Sequence, residues 1–173
     1  FQVMTDTITC STPVVTIGVI APDADLYQWI GYSGPDADQP FIQVSTGGVY
    51  HVLMEDVQSG CMVTAEVFVP TDLTIPVFSY VTDTISCNRP VATLTFVPVP
   101  GVQYSSVHWL LPDQTIIPGP VAMSDQPGQH LLFATSDNGC EGIRSALIPY
   151  DTIVPFLILE TDTLLCHDTV SIL

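Results

Sequence analysis

Thr5-Asp6-Thr7-Ile8-Thr9-Cys10 recurs as Thr82-Asp83-Thr84-Ile85-Ser86-Cys87 and again as Thr161-Asp162-Thr163-Leu164-Leu165-Cys166, at intervals of 77 and 79 residues. A period of this length marks a chain built from similar units rather than from one globule. Other landmarks repeat in order between these marks. Pro13-Val14-Val15-Thr16-Ile17 answers Pro90-Val91-Ala92-Thr93-Leu94, and Tyr27-Gln28-Trp29-Ile30 answers Val107-His108-Trp109-Leu110. Gly48-Val49-Tyr50 corresponds to Gly128-Gln129-His130, and Gly60-Cys61 to Gly139-Cys140. The joints match too, Asp72 with Pro76 against Asp151 with Pro155. The spacing predicts a first unit over 1–75, a second over 76–154 and the start of a third over 155–173, cut from something longer.

Inside each unit the hydrophobic period is two. Val15, Ile17 and Val19 share one strand face, as do Ala92, Leu94 and Phe96. Tyr50, Val52 and Met54 repeat the pattern, followed by Val63, Ala65, Val67 and Val69. Such alternation belongs to antiparallel strands with one buried face. With 15 Pro and 11 Gly as punctuation, about seven short strands per unit predict an all-β chain of two-sheet sandwiches.

The order Cys, Trp, Gly-x-Tyr, Asp-x-x-x-Gly-Cys, carried by Cys10, Trp29, Gly48, Tyr50, Asp56, Gly60 and Cys61, resembles the Ig-like or PKD-like repeats of giant secreted proteins of Bacteroidota. Cys87, Trp109, Gly128, Asp137, Gly139 and Cys140 carry the second copy. The resemblance implies tandem Ig-like (PKD-like) antiparallel β-sandwich domains that act as surface adhesins, stalks or fibre subunits rather than as catalysts. Two departures stand out. His130 replaces the usual Tyr, and Arg144 falls on an apolar position of the last strand, which suggests a bulge there.

Five regularly spaced cysteines in small all-β units read as a disulfide framework and an extracellular setting. Pairing within units gives Cys10–Cys61 and Cys87–Cys140, 51 and 53 residues apart, and leaves Cys166 for a partner outside the segment. The alternative pairing, Cys61–Cys87 and Cys140–Cys166, has a constant spacing of 26 residues. A simple sandwich puts the first cysteine near the A–B turn and the second near the F–G turn, at opposite ends. Within-unit pairing, the expectation adopted, therefore needs a short or displaced first strand. Zinc is disfavoured, because no Cys-x-x-Cys is present.

Catalytic patterns are missing. His51, His108, His130 and His167 form no metal-ligand motif, and Gly31-Tyr32-Ser33-Gly34 falls short of a nucleophile elbow. The chain reads as a non-enzyme with no cofactor, Ca²⁺ excepted. Asp23-Ala24-Asp25 and Asp36-Ala37-Asp38 offer hard oxygen ligands of the kind Ca²⁺ prefers. The joint acids Asp72 with Asp83, and Asp151 with Asp162, repeat 11 residues apart. These eight carboxylates are the metal candidates, against the simpler reading that each caps a turn by accepting backbone N–H groups. Trp29 and Trp109 suit either sugar stacking or the core, and their apolar strand neighbours favour the core.

Charge excludes more than it assigns. There are 18 acidic residues against two basic ones, Arg89 and Arg144, for a net charge of −16. Nucleic acid and anionic membranes, which need clustered Lys and Arg, are excluded as partners. No run of 18 apolar residues is long enough to span a bilayer. Neighbouring repeats and other copies of the chain are the expected partners. The joint segments Pro76-Val77-Phe78 and Pro155-Phe156-Leu157 are more apolar than a solvated tether and predict a stiff array. The functional expectation is the shaft of a cell-surface adhesin or an extracellular filament, with lateral self-association open. A Ca²⁺-dependent glycan- or protein-binding module is the alternative, and an accessory domain of a secreted hydrolase the second.

Overall fold

A computed structural model of the chain describes residues 1–151, 153–154 and 158. Asp162, Cys166 and almost all of the expected third unit lie outside the described residues. Those described form two Ig-like β-sandwiches in tandem and include no helix long and apolar enough to cross a membrane.

The first sandwich contains β1 (Gln2–Met4), β2 (Ile8–Thr9), β3 (Val15–Ile20), β4 (Leu26–Ile30), β5 (Phe41–Val44), β6 (Gly48–Asp56), β7 (Cys61–Val69) and β8 (Thr71–Asp72). The second contains β9 (Phe78–Thr82), β10 (Ile85–Ser86), β11 (Ala92–Pro98), β12 (Tyr104–Leu110), β13 (Ile116–Pro118), β14 (Val121–Ser124), β15 (Gly128–Ser136), β16 (Glu141–Ile148) and β17 (Tyr150–Asp151). One antiparallel sheet of the first sandwich runs β1-β3-β5 and the other β4-β6-β7. Their counterparts are β9-β11-β14 and β13-β12-β15-β16. These are the A-B-E and C-F-G sheets of an Ig-like sandwich, with an added C′ strand in the second.

The first strand of each sandwich changes sheets midway, and Thr-Asp-Thr marks the switch. β1 pairs antiparallel with β3, whereas β2 pairs parallel with β8 through Ile8↔Thr71 and Thr9↔Asp72. β9 and β10 do the same, the latter through Ile85↔Tyr150 and Ser86↔Asp151. At the crossing the Thr5 hydroxyl donates to the Phe68 carbonyl (2.7 Å), and Thr82 donates to Leu147 (3.3 Å).

Two separate cores result. Ile17, Val19, Trp29, Ile42, Val52 and Val67 centre the first; Leu94, Trp109, Ala122, Leu132 and Ile148 centre the second. Both indoles are buried, so neither offers a face for sugar stacking. Trp29 Nε1 donates to the Gln39 carbonyl (2.9 Å), whereas Trp109 Nε1 is buried without a protein partner. Tyr50 and His130 occupy equivalent positions and solve one problem differently. The Tyr50 hydroxyl donates to the Thr46 carbonyl (2.7 Å), in the manner of a tyrosine corner. The buried His130 ring instead spans the Gly128 carbonyl (3.1 Å) and Ser124 Oγ (2.9 Å).

The bulge expected at Arg144 is absent. β15 and β16 keep unbroken register from Gly128↔Ile148 to Thr135↔Glu141, with Arg144 opposite Leu132 and exposed to water. The irregularity falls on β12 instead, between Tyr104 and Ser106.

Candidate functional site: the joint between the sandwiches

Strand geometry decides which cysteines can meet. Cys10 follows β2 directly, beside the Thr9↔Asp72 pair, whereas Cys61 opens β7, at the far end of the strand that leads up to β8. The ten or so residues of strand between Cys61 and Thr71 separate the two ends by roughly 30 Å. A disulfide needs Cα atoms within about 7 Å. Cys10–Cys61 is therefore ruled out as a bond within the folded sandwich, and Cys87–Cys140 by the same reasoning.

Both expected pairings are corrected. Cys10 bonds Cys140 across the joint, with Cα atoms 5.0 Å apart and 130 residues between them in sequence. Cys61 and Cys87 are exposed free thiols, which also removes the alternative Cys61–Cys87 bond within one chain, and Cys140 is not available to Cys166. The reason is end-to-end stacking. The A–B corner of one sandwich and the F–G turn of the next are at opposite ends of their own units but face each other across the joint.

Polar contacts surround the sulfurs. Ser11 donates its N–H and its hydroxyl to the Asn138 carbonyl, at 3.1 and 3.3 Å. Asn138 Nδ2 reaches back to Asp72 Oδ1 (3.1 Å) and the Thr74 carbonyl (3.0 Å). On its other side Asn138 Oδ1 accepts from the Cys140 N–H (2.9 Å) and the Ser136 hydroxyl (2.6 Å), so one amide both shapes the turn and bridges the joint. The Asn138 amide is the main cause of the depressed pKa of Asp72. Gly139 takes a left-handed φ of 79°, and a Cβ there would fall 2.6 Å from the Ser11 Cβ. That close approach is open only to glycine.

An apolar seam runs behind these bonds. Pro76 is buried, and Phe78 is 4% exposed. A Cβ on Gly142 would sit 2.7 Å from the Pro76 carbonyl oxygen and 2.8 Å from the Phe78 ring. Phe78, Phe96 and Tyr104 form an aromatic cluster with centroids 5.0–6.4 Å apart. The Tyr104 hydroxyl donates to the Val77 carbonyl (2.7 Å), fixing the connecting segment to the second sandwich. The connecting segment is thus seated on the second sandwich, and the joint is hydrogen-bonded and covalently closed.

The metal candidates are scattered. Asp36 accepts from the Tyr32 phenol (2.7 Å) and the Gln43 N–H (3.1 Å), and the phenol bond is the main cause of its lowered pKa. Asp25 accepts from the Val57 N–H (3.0 Å), and Asp38 from the Gln39 amide (3.0 Å). Asp83 pairs with Arg89 at 2.9 Å, apart from Asp72 and its bond to Asn138. Asp151 accepts from the Ile153 N–H (3.4 Å), and Asp23 is exposed. Among the described residues no three His, Cys, Asp or Glu side chains converge on a common point. Asp72 and Asp151 act as turn acceptors, through the Thr74 and Ile153 N–H groups, and Asp162 lies outside the described residues.

No family model and no curated protein matches the chain. Among solved structures it is similar to murine CEACAM1b, at 13% identity and a TM-score of 0.31, over 86% of this chain and 96% of that one. The Sidekick-1 immunoglobulin domains 1–4 align at 13% identity and a TM-score of 0.31, over 86% of this chain and 48% of that one. A Bacteroides ovatus surface protein, SGBP-B of a mixed-linkage glucan utilization locus, aligns at 10% and 0.22, over 80% and 41%. Superpositions this loose add nothing to the strand order, on which the Ig-like assignment stands.

Proposed function

We propose that the chain is a load-bearing segment of an extracellular fibre or adhesin shaft. It is read as Ig-like repeats with boundaries at 1–75, 76–154 and 155–173, of the kind found in giant secreted proteins of Bacteroidota. Its partners are neighbouring repeats and other copies of itself. One observation carries the reading: the disulfide spans the joint, not a sandwich. Tension entering along β1 and β2 passes through Cys10 and Cys140 and leaves along β16. Residues 11–139, which hold most of both cores, stand outside that covalent path. A persistent disulfide of this kind belongs to an oxidising, extracellular compartment. The acidic surface keeps long chains apart, and salt at a Debye length of about 8 Å lets them approach.

Single-molecule stretching from the two ends tests this. With the bond intact, unfolding should release only the residues outside the closed loop. Reduction should add about 470 Å of contour length, the extended span of the 130-residue separation. Equal release with and without reductant would refute the load path.

A further inference from the structure

We propose that Asn138–Gly139 is a site of spontaneous deamidation that the closed joint keeps shut, so that a joint once opened is marked irreversibly. The proposal stands on the contacts around Cys10–Cys140 alone and is independent of the shaft reading.

Deamidation needs the amide nitrogen of the next residue to reach the asparagine side-chain carbonyl carbon, and a next residue with no side chain in the way. The chain has two asparagines, Asn88 before Arg89 and Asn138 before Gly139. Only the second is followed by a residue without a Cβ to obstruct the attack. The equivalent turn of the first sandwich carries Ser59 before Gly60 and has no side-chain amide to lose.

While the joint is closed, each group the reaction needs is held. The Gly139 N–H, which must lose its proton before the nitrogen attacks, donates to the Ser136 carbonyl (2.9 Å). Ser11 covers it from the first sandwich, so closely that a Cβ on Gly139 would meet the Ser11 nitrogen at 2.7 Å. The leaving group, Asn138 Nδ2, is bound to Asp72 Oδ1 (3.1 Å) and the Thr74 carbonyl (3.0 Å), across the joint. Asn138 Oδ1 accepts from the Ser136 hydroxyl (2.6 Å) and the Cys140 N–H (2.9 Å), and both bonds draw electrons from the carbon to be attacked. These last two belong to the turn and remain when the sandwiches part, whereas the cover by Ser11 and the bonds to Nδ2 do not. Opening the joint therefore leaves a polarised carbonyl beside an uncovered glycine amide.

The deprotonated Gly139 nitrogen bonds to the Asn138 side-chain carbon, and Nδ2 takes up a proton and leaves as ammonia, closing a succinimide ring. Water then opens the ring. Cleavage of the bond to the side-chain carbon leaves an aspartate at position 138, and cleavage of the bond to the main-chain carbon leaves an isoaspartate. The sum is one water consumed and one ammonia released, with no oxidant or reductant. Either product sets a carboxylate against Asp72 in place of a donor. Isoaspartate also lengthens the main chain by one carbon just ahead of Cys140. Both changes oppose renewed closure of the Cys10–Cys140 bond.

The test incubates the full chain in mildly alkaline buffer, oxidised or held in reductant, and follows the peptide containing position 138 by mass and by chromatography. The reduced chain should convert about tenfold faster than the oxidised one, the weight of the two hydrogen bonds to Nδ2. After reoxidation, converted chains should be depleted among those that carry the Cys10–Cys140 peptide. Oxidised Asp72→Ala keeps the staple closed and loses one acceptor, so it should convert about threefold faster than the oxidised parent. That arm decides the matter even where the reduced sandwiches unfold. Equal rates in the oxidised and reduced chains, or in oxidised Asp72→Ala and its parent, would overturn the proposal. Converted chains that re-form the bond as readily as unconverted ones would overturn it as well.

Discussion

Asn138 connects more of this molecule than any other single side chain. Its carbonyl oxygen shapes the turn that presents Cys140, and its amide hydrogens hold Asp72 and Thr74 of the preceding sandwich. Because the bonded Asp72 has a depressed pKa, its contribution is present above the ordinary carboxylate range and disappears as pH falls through the folded value. Asn138→Asp separates the two jobs: the oxygen that caps the turn stays, while the donor to Asp72 becomes a like charge. The Ser11 amide, which donates to the Asn138 carbonyl, should then exchange its hydrogen faster at pH 6, and the difference should shrink as the pH falls and the two carboxylates take up protons. Equal exchange in both proteins at pH 6 would contradict this role. None of it was legible in the sequence, where Asn138 is one unremarked residue beside the Gly139-Cys140 landmark. Hydrogen bonds between units depend on which end faces which, and no local pattern records that.

Among the elements, the split first strand matters most. The Thr-Asp-Thr at 5–7 and 82–84 is where the chain leaves one sheet for the other, and the first threonine hydroxyl of these two motifs is spent on a carbonyl of the last long strand. Thr5→Val keeps the shape and the β propensity but removes the donor, so it should destabilise the first sandwich by about 1 kcal/mol. Thr82→Val should cost less, because its bond is longer, at 3.3 against 2.7 Å. Thermal or denaturant unfolding of both variants measures this; equal, negligible effects would deny the motif its structural part. Strand faces and core residues could be read from the sequence because burial imposes period two, as in Val15, Ile17, Val19 and Ala92, Leu94, Phe96. Arg144 misled because an inward position near a sandwich edge lets a long side chain reach water without distorting the register.

At the scale of the whole molecule, two sandwiches of under 80 residues each have limited cores, and the staple between them is a large part of their stability. Closing a loop of 130 residues restricts the unfolded chain by about 5 kcal/mol in the chain-entropy account. Placed across the joint, the bond couples the two sandwiches, so neither end can swing free while the sulfurs are joined. The five cysteines and the period announce a disulfide framework, but distances along the sequence favour partners 26, 51 or 53 residues apart. Only the three-dimensional stacking of opposite ends brings position 10 to position 140.

Non-reducing peptide mapping of the oxidised chain, with free thiols alkylated before digestion, is the most direct test of that arrangement. It should yield a Cys10–Cys140 peptide, with alkylated Cys61 and Cys87 in the monomer. A Cys10–Cys61 or Cys87–Cys140 peptide in its place would return the bonds to the interior of each sandwich and contradict the stapled joint.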